Sequence, residues 1–161
     1  MAETRIEWTS TPRPDGTLAP GYTFNPWIGC DHVSPGCDNC YAEAGTNARV
    51  SRGKGLPLWG ADAHRQVTSA GYWRKPLLWD REAAEAGERH KVFCASLADV
   101  FEDFRGDLLV TGSPRPLPRM EALDDVRARL WALIEGTPNL DWLLLTKRPQ
   151  HVLRMVPLPW V

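Results

Sequence analysis

The chain has 161 residues, a length that suits one domain and is short for two. Its content of 43% hydrophobic and 24% charged residues is typical of a globular protein and argues against a disordered tail. The net charge of −1 lacks the basic excess typical of nucleic-acid-binding proteins. No run reaches the roughly 18 apolar residues of a membrane span, and the acidic start lacks a signal peptide's apolar core, so we expect a cytoplasmic protein.

The first segments of the chain are dominated by turn-forming residues. Residues 1–20 are polar and rich in proline, and they predict an irregular lead-in. Residues 22–28 combine aromatic and β-branched side chains and predict a short strand in spite of Pro26. Glycine, proline, serine and asparagine recur in residues 29–40, which predict a loop, and residues 41–50 predict a helix.

The middle of the chain predicts one helix and one strand. Residues 51–79 are rich in glycine and tryptophan and give no clear prediction. Asp80 is a residue type that caps helix N-termini, and it predicts a helix that ends near Gly87. Residues 91–96 are short and apolar and predict a buried strand, and residues 106–118 predict a long connection.

The last part of the chain shows the clearest periodicity. Between residues 119 and 135 apolar side chains recur every three or four positions, which predicts an amphipathic helix that stops at Gly136. Residues 141–146 predict a second buried strand, and residues 150–156 can begin another helix. Short apolar strands alternating with helices indicate an α/β protein with a parallel sheet. A closed eight-stranded barrel needs about 250 residues, so this chain can form only part of one.

Three of the four cysteines form a compact motif. Cys30, Cys37 and Cys40 follow a C-x6-C-x2-C pattern on the predicted loop, where glycine and proline allow the backbone to bend around a metal. In a cytoplasmic protein such a cluster points to metal ligation more than to disulfides. The alternative is three unligated thiols that are close in sequence by chance. Cys94 stands apart in the predicted strand and reads as a small buried hydrophobic residue.

The cysteine motif leaves the identity of the metal open between iron and zinc. A zinc site wants four ligands, and His32, His64 or His90 could supply the fourth. His32 lies only two residues from Cys30, which would require a tight loop. An iron–sulfur cluster held by three cysteines keeps one iron free for a small molecule, so the count of three favours the cluster.

Several separated segments carry a resemblance to one known family. They read RIEWT (5–9), FNPWIGC (24–30), VSPGC (33–37), CYAE (40–43), FCASLADVF (93–101) and LLTKRP (144–149). In this order they resemble the phage-associated three-cysteine family related to radical S-adenosylmethionine enzymes. The likeness covers nearly the whole chain, and residues 51–72 and 105–118 match least.

The resemblance implies a fold, two cofactors and an activity. It implies a single radical-SAM-like domain over residues 1–161, built as a partial (β/α) barrel that is incomplete at the C-terminus. It also implies a [4Fe–4S] cluster on Cys30, Cys37 and Cys40, with S-adenosylmethionine at the open iron. In such enzymes reductive cleavage of S-adenosylmethionine starts a radical reaction, which needs an electron donor.

Five further residues are candidates for the cofactor site. Ser96 and Asp99 follow one predicted strand, and Lys147 and Arg148 follow the other, where α/β sheets place ligand-binding groups. Asp99 could accept a hydrogen bond from a ribose or an amino group, although it could equally be a helix N-cap. Asn at position 39 departs from the commonest radical-enzyme motif, which has an aromatic residue there, and Tyr41 could shield the cluster instead.

Three readings of the function remain open at the level of sequence. The first is an iron–sulfur enzyme that modifies or repairs a nucleic acid or a nucleotide, with the substrate class suggested by analogy alone. The second is a zinc-stabilised binding module. The third is a non-catalytic barrel fragment that requires a partner chain, or self-association, to complete its sheet.

Overall fold

A computed structural model describes residues 3–4, 6–47, 57–111 and 122–160. This part of the chain contains short helices and nine strands. The helices are α1 (Ala70–Trp73), α2 (Lys75–Ala86), α3 (Leu123–Glu135) and α4 (Val152–Met155). The strands are β1 (Glu3–Thr4), β2 (Thr11–Pro12), β3 (Leu18–Ala19), β4 (Gly21–Thr23), β5 (Trp27–Ile28), β6 (Arg65–Val67), β7 (His90–Cys94), β8 (Leu108–Val110) and β9 (Leu140–Leu144).

The largest sheet has four strands in the order β1-β4-β7-β9. Strands β4, β7 and β9 are parallel, and β7 pairs with β9 over its whole length, from His90 opposite Leu140 to Cys94 opposite Leu144. Strand β1 joins the other side of β4 in the antiparallel direction. The parallel pairing of β7 with β9 brings the segments that follow these two strands to the same edge of the sheet.

Two smaller sheets complete the described strands. In the order β5-β6-β8, strand β5 is antiparallel to β6, and β6 is parallel to β8. Strands β2 and β3 form an antiparallel hairpin. The expected irregular lead-in thus contains short strands and a 3₁₀ turn at Glu7–Thr9.

The expectation of a partial (β/α) barrel of radical-SAM type is wrong. The described strands are divided among three small sheets, each of which contains an antiparallel pair and none of which curves into a barrel. The reason lies in the strand that was predicted over residues 22–28. It is broken at Phe24-Asn25-Pro26, so that β4 enters the four-stranded sheet while β5 enters the three-stranded one.

The main hydrophobic core packs on the four-stranded sheet. Phe24, Val92 and Leu130 are fully buried there, and Trp79 of α2 stacks on Tyr22 with ring centroids 4.4 Å apart. A second core lies against the three-stranded sheet around Trp27 and Val126. Helix α3 contributes to both cores.

The strongly patterned elements form close to where the sequence predicted them. Strands β7 and β9 each begin one residue earlier than expected, and α3 occupies the predicted amphipathic segment within the described residues. Residues 119–121 and 48–50 of the two predicted helices lie outside the described residues. Residues 43–47 form a π-helix.

The predicted N-cap at Asp80 is wrong. Helix α2 begins five residues earlier, at Lys75, and Asp80 lies inside it. Its carboxylate instead accepts a hydrogen bond of 2.7 Å from the backbone N–H of Asn139, which ties α2 to the start of β9. The helix ends at Gly87 as expected, with φ +65° at that glycine.

None of the helices that the structure describes combines the length and apolar character that a bilayer crossing requires.

Candidate functional site

A cavity of about 270 Å³ lies between the cysteine loop and the carboxyl ends of β7 and β9. Cys30, Cys37 and Cys40 all line it. The opposite wall comes from the segments that follow the two strands, residues 95–99 and 145–148. All of the predicted cofactor-binding residues therefore line this one cavity, namely Tyr41, Ser96, Asp99, Lys147 and Arg148 together with the cysteines.

The first cysteine is held by backbone pairing. Cys30 follows β5 and Gly29, and it forms an isolated parallel bridge with Trp59. Its N–H donates to the carbonyl of Leu58 (3.2 Å), and its carbonyl accepts from the N–H of Gly60 (3.0 Å). Gly29 has φ +114°, a conformation that favours glycine, and this turn directs the chain from β5 into the loop.

The other two cysteines are positioned by tight turns. Cys37 ends a 3₁₀ turn at Pro35–Cys37, and its N–H donates to the carbonyl of Ser34 (2.9 Å). The N–H of Cys40 donates in turn to the carbonyl of Cys37 (3.1 Å). Pro35 suits the start of this turn because its φ is already fixed near the required value. The side chain of Cys37 is buried, and that of Cys40 is half-buried.

Asp99 joins the segments that follow β7 and β9. Its carboxylate accepts hydrogen bonds from the hydroxyl of Thr146 (2.8 Å), the N–H of Lys147 (3.0 Å) and the guanidinium of Arg148 (3.0 Å). It also accepts from the N–H of Phe101 (3.0 Å). These contacts occupy both carboxylate oxygens, so Asp99 acts in the structure as an anchor of the cavity wall.

Arg148 connects this wall to the cysteine loop. Its side chain is only 4% exposed. One nitrogen, Nη1, lies 3.4 Å from the sulfur of Cys30, and Nη2 donates to the carbonyl of Asp31 (2.8 Å). Arg148 therefore places a buried positive charge against the first cysteine of the motif.

A second buried ion pair lies behind the loop. Arg65 is fully buried and binds Glu102 through two hydrogen bonds of 2.9 and 2.7 Å. Glu102 also accepts from the N–H of Asp31 (3.0 Å), next to Cys30, and lies 3.6 Å from Arg148. Two buried arginines are thus balanced by the carboxylates of Glu102 and Asp99, an arrangement that satisfies charges removed from water.

The rim of the cavity is polar and partly exposed. The hydroxyl of Tyr41, a residue that is 65% exposed, donates to the carbonyl of Ser96 (2.9 Å) across the mouth. The ammonium of Lys147 donates to the carbonyl of Gly36 in the cysteine loop. The hydroxyl of Ser96 accepts from Asn25 (3.1 Å).

The thiols of the motif differ in acidity. Burial raises the pKa of Cys30 to about 11, with a further contribution from the charge of Glu102, while Arg148 acts in the opposite direction. Burial also disfavours the thiolate of Cys37, but backbone hydrogen bonds from Val33 and Ser34 and the charge of Lys147 lower its pKa overall. Because metals bind thiolates, metal ligation at Cys30 would displace its proton.

The cysteine motif contributes three sulfur donors to the wall of the cavity. Within the described residues, no three His, Cys, Asp or Glu side chains are grouped so that they could hold one metal ion. Sulfurs that share a zinc ion must all lie about 2.3 Å from it. The thiolates of an iron–sulfur cluster bind different iron atoms of one compact unit, so they too must converge on a common centre.

Two of the three histidines that could have completed a zinc site have other contacts. Nε2 of His32 lies 2.6 Å from the carboxylate of Glu43, whose hydrogen bond raises the pKa of His32. Nε2 of His90, which begins β7, lies 3.2 Å from Glu88. Cys94 is fully buried in the main core, as its sequence context predicted.

Sequence reasoning missed two parts of this site. Trp59 lines the cavity but belongs to a segment that gave no prediction. Glu102 and Arg65 hold the loop from behind, although they are 37 positions apart in the chain. The pairing of β6 with β8 brings their segments together, and no local pattern signals such a contact.

Comparison with known proteins gives one match. The model of the family described as "Protein of unknown function (DUF5131)" matches residues 3–111, which is more than half of the chain. No curated protein and no solved structure shows a significant match to it. The matched segment contains the three cysteines of the motif, together with Ser96 and Asp99.

Proposed function

The chain belongs to the DUF5131 family of proteins of unknown function, and for this member we propose an iron–sulfur protein that binds a [4Fe–4S] cluster and S-adenosylmethionine. Cys30, Cys37 and Cys40 are the cluster ligands in this proposal. The observation that carries it is that all three cysteines face one cavity, against which Arg148 presents a buried guanidinium. The cavity opens at the carboxyl ends of parallel strands, where α/β proteins bind ligands.

The charge around the cavity supports a thiolate-bound cluster. Three thiolates bring negative charge into a partly buried site, and burial alone favours the protonated thiol at Cys30. Arg148 lies 3.4 Å from that sulfur and Lys147 lowers the pKa of Cys37, so both cations stabilise the deprotonated ligands. Asp99 and Glu102 hold Arg148 in this position through the ion pairs described above.

The count of three ligands supports S-adenosylmethionine as the second ligand. When bound, the cluster would supply an electron to the sulfonium of S-adenosylmethionine. The residues of this chain would bind S-adenosylmethionine and shield the cavity from solvent. In the proposal Lys147 meets the carboxylate of the ligand, Ser96 offers a hydroxyl, and Tyr41 covers the mouth of the cavity. The reaction further requires an external one-electron donor.

The cluster is tested by alanine substitution of each cysteine in turn. Proteins are purified without oxygen, and iron, acid-labile sulfide and visible absorption are measured. The Cys30→Ala, Cys37→Ala and Cys40→Ala variants are expected to lose most of their iron and sulfide because each removes one of three ligands. Cys94→Ala is the matched control, because Cys94 lies in the core, and it should keep the wild-type content.

Two results would overturn the proposal that the cysteines hold an iron–sulfur cluster. One is equal iron in the wild type and the three loop variants, which would mean that the metal is bound elsewhere. The other is colourless wild-type protein with one zinc ion, which would support the zinc-stabilised module instead.

Binding of S-adenosylmethionine is tested on the reduced wild-type protein. We expect a changed electron paramagnetic resonance spectrum on addition of S-adenosylmethionine, and 5′-deoxyadenosine in the products. S-Adenosylhomocysteine, which lacks the sulfonium, is the control and should give no 5′-deoxyadenosine. If the spectrum of the loaded cluster does not change on addition of S-adenosylmethionine, the protein binds an iron–sulfur cluster but not this second ligand.

A further inference from the structure

A second cavity of about 270 Å³ lies where strands of the four-stranded and the three-stranded sheets end. Three of its lining residues follow the carboxyl ends of strands: Asn25 follows β4, Thr68 follows β6 and Thr111 follows β8. In α/β proteins, ligands bind in the crevice outside the carboxyl ends of the strands, at the point where the chain order changes direction. Here the break between β4 and β5 sends the two strands into different sheets, and the second cavity lies beside that break.

The second cavity and the cysteine cavity have a wall residue in common. Leu97 lines both of them. Its N–H donates to the side-chain carbonyl of Asn25 (2.7 Å), and the amide nitrogen of Asn25 donates to the hydroxyl of Ser96 (3.1 Å). Asn25 is 7% exposed, so this part of the wall is held in place by a buried side chain. Molecules bound in the two cavities would both contact Leu97.

The lining of the second cavity is uncharged. Among the described residues, every side chain that lines it is neutral, and apolar atoms form most of its surface. A phosphate, a carboxylate or an ammonium group would lose its hydration there without gaining an ion pair, which is costly. The volume lies just below the roughly 300–1,000 Å³ of small-molecule sites, so the cavity suits a small neutral ring system.

The hydroxyl groups of the lining offer both kinds of hydrogen bond. Those of Thr68 and Thr111 donate to main-chain carbonyls at 2.9 and 3.1 Å, so their oxygens can accept but not donate further. The hydroxyl of Ser69 accepts from the backbone N–H of Tyr72 (3.4 Å), so its own hydrogen can be donated to a ligand. A neutral ring with apolar faces and both donors and acceptors on its edge matches this set, and a nucleobase has that chemistry.

We propose that the second cavity binds a neutral nucleobase and is the subsite for the base of a nucleoside-type substrate. Binding of the base follows from the lining of the cavity, while its role as the substrate subsite rests on the proposed function. The faces of the base would contact the apolar walls, to which Ile28 and Leu97 contribute, and its edge would meet Ser69 and Thr111. The phosphate of a nucleotide would stay outside the cavity.

The site is tested by titrating the ¹⁵N-labelled protein with adenosine, guanosine, cytidine and uridine, one at a time, while amide resonances are recorded. At least one nucleoside should shift the amides of Ser69, Leu97 and Thr111. Ribose 5-phosphate, which lacks a base, should leave them unchanged. Thr111→Phe places a large side chain at the exposed rim and should weaken binding by about tenfold or more. Ala128→Phe, at an exposed position of α3, is the matched control and should bind like the wild type.

A second variant removes a hydrogen bond without filling the cavity. Ser69→Gly keeps a residue type that is tolerated at the N-cap of α1, and it should weaken nucleoside binding by about twofold to tenfold. Nucleosides that leave the three amides unshifted, or that bind Thr111→Phe as tightly as the wild type, would overturn the site. Iron and sulfide are counted in the same wild-type preparation. Nucleoside binding by protein that cannot be loaded with a cluster would confirm the site and overturn the proposed function.

Discussion

At the scale of single residues, the buried guanidinium of Arg148 joins three parts of the site. It pairs with Asp99, lies near Glu102 and contacts the sulfur of Cys30. Its position directly after a predicted strand made it a candidate from sequence, because polar groups at strand ends commonly form ligand sites. The sequence did not reveal that two buried carboxylates would face it, since these come from a different segment of the chain.

Replacing Arg148 by Gln should lower the free energy of unfolding by about 3–5 kcal/mol, because the carboxylate of Asp99 then loses its buried partner. Urea unfolding measures this change. Asp99→Asn combined with Arg148→Gln should cost clearly less than the sum of the two single substitutions. Arg154→Gln is the control, because its pair with Asp103 is exposed, and it should cost no more than about 1 kcal/mol. If Arg148→Gln and Arg154→Gln lose the same free energy of unfolding, the buried ion pairs of Arg148 do not stabilise the protein as described.

The Glu88 carboxylate gives a prediction for pH dependence. Its pKa is lowered from the ordinary 4.5, first by the hydrogen bond from Arg13 (2.5 Å) and further by His90. A lowered carboxyl pKa adds stability above the unfolded-state value, and this contribution disappears as the pH falls through the folded-state pKa. Glu88→Gln should therefore have a lower free energy of unfolding than the wild type at pH 7. This difference between the two proteins should disappear below pH 4.5.

Urea midpoints of wild type and Glu88→Gln at pH 7 and in acid measure this gap. Glu85→Gln, an exposed position on α2, serves as the control and should show little gap at neutral pH. If the urea midpoints of Glu88→Gln and the wild type differ as much in acid as at pH 7, the carboxylate charge is not the cause of the difference.

At the scale of elements, Gly29 determines how β5 leads into the cysteine loop. A Cβ atom there would lie 2.3 Å from the carbonyl oxygen of Leu58, and φ is +114°. Gly29→Ala should therefore lower the free energy of unfolding by roughly 2–5 kcal/mol, through backbone strain and a backbone clash together. Gly16→Ala separates the two effects, since Gly16 also has positive φ (+82°) but open space around it.

Gly16→Ala should cost only about 1–2 kcal/mol, from backbone strain alone. Thermal or urea unfolding of both variants measures the difference. Similar losses for the two glycines would show that the contact with Leu58 does not constrain the loop.

The elements also show which sequence signals are informative. The apolar runs of β7 and β9 and the periodicity of α3 predicted real elements because burial on the core requires those patterns. Strands of two or three residues, such as β1 and β6, are too short to carry a pattern. Asp80 was misassigned because a residue that suits an N-cap also serves well as an acceptor for Asn139.

At the scale of the whole molecule, the mixture of helices and strands was predictable from sequence, but the arrangement of the sheets was not. Strand direction depends on tertiary pairing, and the break at Asn25-Pro26 sends β5 into a separate sheet antiparallel to β6. The candidate site was more predictable than the fold. The cysteine spacing marks its loop, and the parallel pair of β7 and β9 necessarily brings residues 96–99 and 146–148 to one edge.

The metal content of wild-type protein isolated without oxygen decides whether the three cysteines of the cavity hold an iron–sulfur cluster. Iron, zinc and acid-labile sulfide are counted per chain in one preparation. We expect about four iron and four sulfide per chain with little zinc, because the three cysteines of the cavity would hold one [4Fe–4S] cluster. Protein that contains neither iron nor sulfide, even after incubation with ferrous iron and sulfide under reducing conditions, would contradict it.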